Sequence, residues 1–101
     1  MKKLYLDDIR VPKTEGWDIV RNYDEFVFWV RLHGVPDEVS FDHDLGDNNT
    51  ETGYNCAKWL GQYCIEKNIP FPEWNVHSAN PVGKANIEAY INNVIKHQNK
   101  L

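Results

Sequence analysis

Residues 39–46 read VSFDHDLG, and this stretch decides the fold. An apolar run stops abruptly in two carboxylates that flank an imidazole, Asp42, His43 and Asp44, and a glycine follows. Such a run is typical of a buried strand that presents polar side chains at its carboxyl end. Because ligands of open α/β sheets bind in the crevice outside those ends, we expect the functional site where this strand stops.

Two other stretches have the same form. Residues 4–8 read LYLDD and residues 76–81 read VHSANP, so each is a short apolar run that ends in polar side chains. The polar residues at these two ends are Asp7, Asp8, His77, Ser78 and Asn80. Since the carboxyl ends of parallel strands lie side by side, the three stretches predict one shared site.

The segments between these runs predict the element order β-β-α-β-α-β-α. The expected strands are residues 3–7, 17–21, 38–42 and 74–78, and the expected helices begin near residues 22, 52 and 81. Strands joined through helices pair in parallel with right-handed crossovers. We therefore expect a small three-layer α/β fold, a trimmed flavodoxin-like sheet of four mostly parallel strands flanked by about three helices.

Length and composition limit the possible functions. A chain of 101 residues is one domain, residues 1–101, and its formal net charge of −4 argues against binding extended duplex nucleic acid. A single RNA end remains compatible with that charge. No apolar run reaches the roughly 20 residues that span a bilayer, and no signal peptide is recognisable, so we expect a cytoplasmic protein without a membrane partner.

The two cysteines lie in one expected helix. Cys56 and Cys64 are eight positions apart. That spacing is about 12 Å along a helix, which is too far for a disulfide. We expect two buried free thiols.

Four aspartates fall at two of the strand ends. Carboxylates that are brought close together repel one another, so they need a cation, a shared proton or wide spacing. Mg²⁺ or Mn²⁺ suits such oxygen ligands, and capping of loop amides is the alternative role. The residues concerned are Asp7, Asp8, Asp42 and Asp44.

Two histidines end strands that we expect to be close in the sheet, His43 and His77. One imidazole is suited to act as a general base on water while the other, protonated, acts as an acid on a leaving oxygen. The neighbouring Asp42 and Asp44 favour this interpretation, because a carboxylate fixes the tautomer of an adjacent imidazole. Two structural histidines are the alternative.

The start of the third helix resembles an anion cradle. Free backbone N–H groups and the helix dipole attract an anion there, a glycine permits close approach, and a lysine adds charge. An ordinary N-cap, with Asn80 as the cap and Pro81 first in the helix, explains the same residues without a ligand. The cradle residues are Ser78, Asn80, Gly83 and Lys84. The polar residues 47–52 are suited to form a lid over the site.

The motifs resemble a known family. The acidic pair Asp7 and Asp8, the aspartate Asp42 and the hydroxyl of Ser78 fall where a CheY-like receiver has its acidic pair, phosphoacceptor and switch residue. A closer resemblance, over nearly the whole chain, is to the cyclic-phosphate-processing receiver-like family. It is carried by LDDIRVP at 6–12, SFDHDLG at 40–46, TGY at 52–54 and VHSANPVGKANI at 76–87.

The resemblance implies a receiver-like fold and a phosphoesterase that acts on cyclic phosphates of RNA ends or nucleotide derivatives. The chain departs from ordinary receivers at two points. No strand follows the third helix to carry the usual receiver lysine, although Lys84 supplies a charge, and His43 stands where receivers have an apolar residue. Both departures favour acid/base chemistry over a phospho-relay.

Three functional hypotheses follow. The first is hydrolysis of a cyclic phosphodiester in which His43 and His77 share the acid and base roles, with Arg10 assisting. The second is a Mg²⁺- or Mn²⁺-dependent phosphohydrolase in which a metal-bound water attacks. Its expected ligands are Asp7, Asp8, Asp42, Asp44 and His43. The third is a module that binds a nucleotide or partner without turnover.

Overall fold

The computed structural model describes residues 1–46 and 51–100. The elements follow the expected order. The strands are β1 (Lys3–Leu6), β2 (Trp17–Val20), β3 (Glu38–Phe41) and β4 (Glu73–Val76), and the helices are α1 (Tyr23–His33), α2 (Gly53–Lys67) and α3 (Pro81–Asn99). Strands β1 and β3 end one residue before the predicted bound and β4 ends two residues before it, so their polar side chains lie in the turns just after the sheet.

The four strands form one sheet in the order β2-β1-β3-β4, and every neighbouring pair is parallel. Strand β3, the stretch that the sequence marks as decisive, is central and pairs with both β1 and β4. The register places Leu6, Phe41 and Val76 side by side. The three polar strand ends therefore meet at one edge, as predicted.

One face of the sheet packs against the helices. Alternate residues of β1 and β3, such as Leu6 and Phe41, are fully buried in a core that also takes in residues of all three helices. Leu60 of α2 and Ile87 and Ile91 of α3 lie in the same core. The opposite face presents the intervening residues of each strand, because strand side chains alternate between faces.

The prediction of a small α/β fold with four parallel strands and three helices is confirmed, and one detail differs. The described helices share a single core, so they cover one face of the sheet and the structure has two layers where three were predicted. The topology explains this. The crossovers from β2 to β3 and from β3 to β4 run in the same direction across the sheet, and right-handed crossovers in one direction put their helices on one face.

The connection from β1 to β2 runs in the other direction and contains no helix. Its residues 7–16 lie beside the uncovered face, where they form one wall of a cleft. The Arg21 side chain holds this loop by donating hydrogen bonds to the carbonyl oxygens of Asp7, at 3.1 Å, and Arg10, at 2.9 Å. A loop thus forms this connection, whereas the other two crossovers each contain a helix.

Local signals placed the helix ends correctly. The Asn22 side chain caps α1 by accepting a hydrogen bond from the Glu25 amide, and Asn80 caps α3 by accepting one from the Gly83 amide. Gly34 follows α1 with φ of 88°, a conformation that glycine adopts without a steric penalty. The expectation for the cysteines is confirmed, since Cys56 and Cys64 are both buried and unpaired.

Among the described residues, no helix has the length and apolar character needed to cross a membrane. The proposed lid, residues 47–52, lies mostly outside the described residues, because only 51 and 52 belong to them. Thr52 forms the N-cap of α2, and the Asn55 side chain accepts hydrogen bonds from its amide and hydroxyl at 3.0 Å each.

Candidate functional site

The first residue after each of three strands points to the uncovered side of the sheet. Leu6, Phe41 and Val76 face the core, so the residue that follows each of them faces away from it. This alternation brings together Asp7, Asp42 and His77, whose ligand atoms all lie within 4.8 Å of one another. Three stretches far apart in sequence thus form one cluster.

Asp7 is the centre of this cluster and is only 1% exposed. Its Oδ1 accepts hydrogen bonds from the amides of Ile9, at 2.9 Å, and Arg10, at 2.8 Å. Its Oδ2 accepts from Arg10 Nε at 2.9 Å and from His77 Nε2 at 3.0 Å. The carboxylate therefore holds the loop, an arginine and a histidine in fixed positions.

Arg10 joins the two buried carboxylates. Besides its contact with Asp7, its second terminal nitrogen lies 3.3 Å from Asp42 Oδ1. About half of its side chain is exposed, at 47%. A guanidinium between two aspartates offsets part of their negative charge, and its exposed half is accessible to a ligand.

The environment shifts the pKa values of the two aspartates in opposite directions. Burial favours the neutral form of Asp7, but hydrogen bonds from two amides and His77, together with the Arg10 charge, outweigh it and lower its pKa. Burial and the neighbouring charge of Asp7 raise the pKa of Asp42. Carboxylates that are shifted apart in this way are typical of acid and base sites, with Asp7 the more readily ionised and Asp42 the easier one to protonate.

His77 is held through both ring nitrogens. The charged Asp7 carboxylate can only accept hydrogen bonds, so the proton of the imidazole is on Nε2. Nδ1 then accepts a hydrogen bond from the Ser40 hydroxyl at 2.7 Å. The ring of Tyr5 stacks on the imidazole, with centroids 4.3 Å apart and planes 4° apart. Burial, against the pull of Asp7 and Asp42, lowers the pKa of His77, so the imidazole is neutral at neutral pH.

Sequence reasoning missed Ser40 and Tyr5. A signal existed for both residues, since Ser40 stands two positions before Asp42, and Tyr5 two positions before Asp7, on the same faces of their strands. A hydroxyl in the middle of an otherwise apolar strand requires a hydrogen-bond partner once it is buried. In this structure His77 is that partner.

His43 belongs to a second group. Its Nδ1 lies 2.8 Å from Oδ1 of Asp44, and its backbone amide donates to Asp42 Oδ1 at 2.9 Å. Asp44 is 66% exposed, and the hydrogen bond from His43 lowers its pKa. The imidazole therefore has its own carboxylate, as His77 has Asp7.

The His43 ring packs against the start of α3. A Cβ atom placed on Gly83 would lie 2.3 Å from Cγ of His43, so only glycine fits there. The Gly83 amide donates to the side chain of Asn80 at 3.0 Å, and the Asn80 side-chain nitrogen lies 3.4 Å from Asp44. Gly83 thus makes room for an imidazole, whereas the sequence had suggested close approach of an anion.

The other residues of the expected cradle lie at the edge of this group. The Ser78 hydroxyl accepts a hydrogen bond from the Asn80 amide at 3.1 Å, and the Lys84 amide donates to the Asn80 carbonyl at 2.9 Å. Asn80 as the cap, with Pro81 after it, uses several of the groups that an anion would need. The arrangement favours the ordinary N-cap over the cradle.

The predicted site residues therefore form two groups. Asp7, Arg10 and His77 share direct contacts on the uncovered side, and His43, with Asp44, Asn80 and Gly83, forms the group beside α3. Asp42 joins the two through Arg10 and the His43 amide. Among the described residues, no hydrogen bond or ring contact links His43 directly to His77.

Two clefts open at this edge. The first, of about 620 Å³, lies outside the ends of β1 and β3 and is lined by five carboxylates and Arg10. The carboxylates are those of Asp7, Asp8, Asp42, Asp44 and Glu51. The second, of about 640 Å³, lies on the uncovered face and is lined by His77, Arg10 and aromatic side chains. Arg10 lines both clefts.

The residues present are suitable for a divalent cation. Two carboxylates and an imidazole, those of Asp7, Asp42 and His77, form a ligand set of the type that Mg²⁺ or Mn²⁺ accepts. Asp8 lines the first cleft but stands outside this set. Arg10 already pairs with both carboxylates, so an ion and the guanidinium would compete for the same oxygens.

Comparison with known proteins identifies a family. A family model described as a cyclic-phosphate processing receiver domain matches residues 2–93. No curated protein and no solved structure matches the chain. The matched range takes in all four strands and every residue of the two groups.

Proposed function

The chain belongs to the family of cyclic-phosphate processing receiver domains, as its motifs predicted, and we propose that it is a phosphoesterase that hydrolyses a cyclic phosphate. The substrate in this proposal is a small cyclic-phosphate nucleotide or the end of an RNA strand. One observation carries the proposal. Two histidines at neighbouring strand ends each bind a carboxylate of their own, His43 to Asp44 and His77 to Asp7.

A carboxylate behind an imidazole fixes its tautomer and stabilises its charged form, as acid/base catalysis requires. His77 is neutral at neutral pH because burial lowers its pKa, so it is the general base that takes a proton from the attacking water. Nδ1 is the accepting atom, and in the resting state the Ser40 hydroxyl occupies it. For this transfer, the Ser40 hydroxyl either moves away from Nδ1 or passes the proton from the water to it.

His43 is the general acid in this proposal. Its partner Asp44 is mostly exposed and carries a lowered pKa, so a full negative charge faces the imidazole. Held by this carboxylate, the ring gives a proton to the departing sugar oxygen as the phosphorus–oxygen bond breaks. His77 would thus assist the attack of water, and His43 would assist the departure of the sugar oxygen.

Arg10 binds the phosphate in this account. Its side chain is half exposed, lines both clefts and lies beside Asp42 and Asp7. A guanidinium presents paired donors that match phosphate oxygens, and this becomes more valuable as charge develops in the transition state. The first cleft is lined by five carboxylates, which repel an anionic substrate, and the Arg10 guanidinium counteracts this repulsion.

A divalent cation supports a second candidate function. The close approach of Asp7, Asp42 and His77 is the observation that favours it. These three residues would hold Mg²⁺ or Mn²⁺, which would supply a Lewis acid beside the phosphate. This alternative is a metal-dependent phosphohydrolase with the same class of substrate.

The test is turnover of a panel of cyclic phosphates, each with and without a chelator. The panel contains a 2′,3′-cyclic nucleotide, an RNA that ends in one, and ADP-ribose cyclic phosphate. The proposal expects chelator-resistant hydrolysis that His43→Ala abolishes and His97→Ala leaves unchanged, since His97 is an exposed histidine near the end of α3. Activity lost with the chelator would favour the metal-dependent enzyme, and a folded protein that turns over none of the panel would favour a binding module.

A further inference from the structure

The uncovered face of the sheet carries a cleft that extends from His77 and Arg10 to residues without a role in the proposed catalysis. It has a volume of about 640 Å³ and lies between the strands and the loop of residues 7–16. Pockets for small ligands have about this size, and they are lined mainly by apolar and aromatic groups with a few polar ones. Here the aromatic rings are those of Tyr5 and Trp17, and Lys13 lies on the loop side.

The cleft is continuous with the candidate reaction centre. His77 and Arg10 line it, and Arg10 also lines the first cleft at the strand ends. A ligand whose phosphate contacts Arg10 and His77 would therefore extend along the uncovered face, and its organic part would lie in this second cleft. The helices are on the other side of the sheet, so nothing in the described core competes for the space.

The aromatic rings are held in place. The indole nitrogen of Trp17 donates a hydrogen bond to the Thr14 hydroxyl at 2.9 Å, and the Trp17 ring meets that of Tyr5 edge-on, with centroids 5.8 Å apart. Tyr5 in turn stacks on His77. Lys3 Nζ lies over one face of the indole ring, 4.6 Å from its centroid, and Lys13 lines the cleft on the loop side. Rigid rings beside cationic groups are suited to stacking a planar base.

We propose that this cleft binds the nucleoside part of the substrate, with the base stacked against Trp17. The inference rests on the proposed function, since it takes the phosphate to lie at Arg10 and His77. It makes contact with the base a determinant of how tightly a 2′,3′-cyclic nucleotide or the terminal nucleotide of an RNA is bound. Cyclic phosphates of simple polyols are then poor substrates.

The test compares two substrates with four proteins. The substrates are adenosine 2′,3′-cyclic phosphate and glycerol 1,2-cyclic phosphate, which has no base. The proteins are the wild type, Trp17→Ala, Trp17→Phe and the control Phe28→Ala, which removes an exposed aromatic ring from α1. Because stacking of one base is sensitive to loss of the ring, we expect Trp17→Ala to lower kcat/KM for the adenosine substrate about tenfold through KM.

The glycerol substrate serves as the internal reference for folding. We expect Trp17→Ala to leave its turnover unchanged, Trp17→Phe to keep most of the activity on the adenosine substrate, and Phe28→Ala to match the wild type. A Trp17→Ala variant that loses activity equally on both substrates, or on neither, would overturn the nucleoside site while leaving the proposed hydrolysis in place.

A binding measurement separates the two proposals if neither substrate is turned over. Adenosine 2′-monophosphate is added to ¹⁵N-labelled protein, and the indole N–H signal of Trp17 is followed by NMR. A shift of that signal that saturates would support the nucleoside site even though the hydrolase proposal fails. An unmoved signal would overturn the nucleoside site as well.

Discussion

The two faces of the sheet are built from the same strands and differ in every other respect. On the covered face Leu6 and Phe41 are fully buried among apolar side chains. On the uncovered face Tyr5, Ser40 and His77 are joined by a ring stack and a hydrogen bond, beside solvent. Alternation along a strand therefore separates the residues that hold the fold together from those that hold the site, one position apart.

The two histidines lie on different sides of their strand ends. His77 lies on the uncovered side and contacts side chains of the sheet. His43, one residue further along its strand end than Asp42, turns toward α3 and packs on Gly83. Substitutions of the buried apolar residues should mainly change stability, and those of either histidine should mainly change chemistry.

The largest expected effect is on the covered face. Phe41→Ala removes a fully buried ring, so we expect the free energy of unfolding to fall by about 3–5 kcal/mol. Ile19→Ala on the partly exposed β2 is the control, with an expected loss of about 1 kcal/mol or less. Urea unfolding measures both. Equal losses would show that the two faces do not divide stability as described.

A smaller effect is expected where His43 meets α3. Gly83→Ala places a methyl group within van der Waals radii of the imidazole, so either the ring or the helix start must move. We expect a loss of about 1–3 kcal/mol in unfolding free energy, together with lower turnover. Asn86→Ala, at an exposed position further along the same helix, should change neither quantity. A fully stable and fully active Gly83→Ala protein would contradict the packing.

The uncovered side offers a test of charge. Arg10 contacts both carboxylates that would hold a cation, so Arg10→Gln leaves those oxygens without their positive partner. We expect Mn²⁺ to bind this variant about tenfold more tightly than the wild type, as removal of a nearby positive charge predicts. Calorimetric titration measures the affinity, with Arg31→Gln on α1 as the control. Unchanged or weaker binding would mean that Arg10 and the ion do not compete.

The smallest effect concerns pH. Burial lowers the pKa of His77 below its ordinary value of 6.5, so the folded protein binds fewer protons than the unfolded chain once the pH falls below that value. Stability should therefore be unaffected by His77 above pH 6.5 and should decline as the pH is lowered toward the folded-state pKa. An NMR titration should place the midpoint for His77 below 6.5. A midpoint at or above 6.5 would contradict the burial effect.

The sequence was sufficient for much of this architecture. Apolar runs that end in polar residues identified the strands, and Asn22, Asn80 and Pro81 located the helix starts, because these signals act locally. The convergence of Asp7, Asp42 and His77 followed from parallel pairing alone. The resemblance then supplied the family, and the family model confirmed it.

The rest required three-dimensional information. Whether Gly83 faces an anion or an imidazole depends on where the His43 ring turns after its strand has ended, and no local rule sets that direction. In the sequence, Ser40 looks like part of an apolar run, because its hydrogen-bond partner His77 is 37 positions away. The absence of a third layer could have been predicted from the sequence. The connection at residues 7–16 has no helical pattern, and the crossover rule gives the face of the sheet on which the helices lie.

The most direct test of the central claim is hydrolysis of adenosine 2′,3′-cyclic phosphate in the presence of a chelator by the wild type, His77→Ala and His97→Ala. Loss of a general base lowers turnover by about 10²–10⁴-fold, so we expect that loss in His77→Ala and wild-type rates in His97→Ala. A His77→Ala protein that is folded and hydrolyses the substrate as fast as the wild type would contradict the proposed role of this histidine.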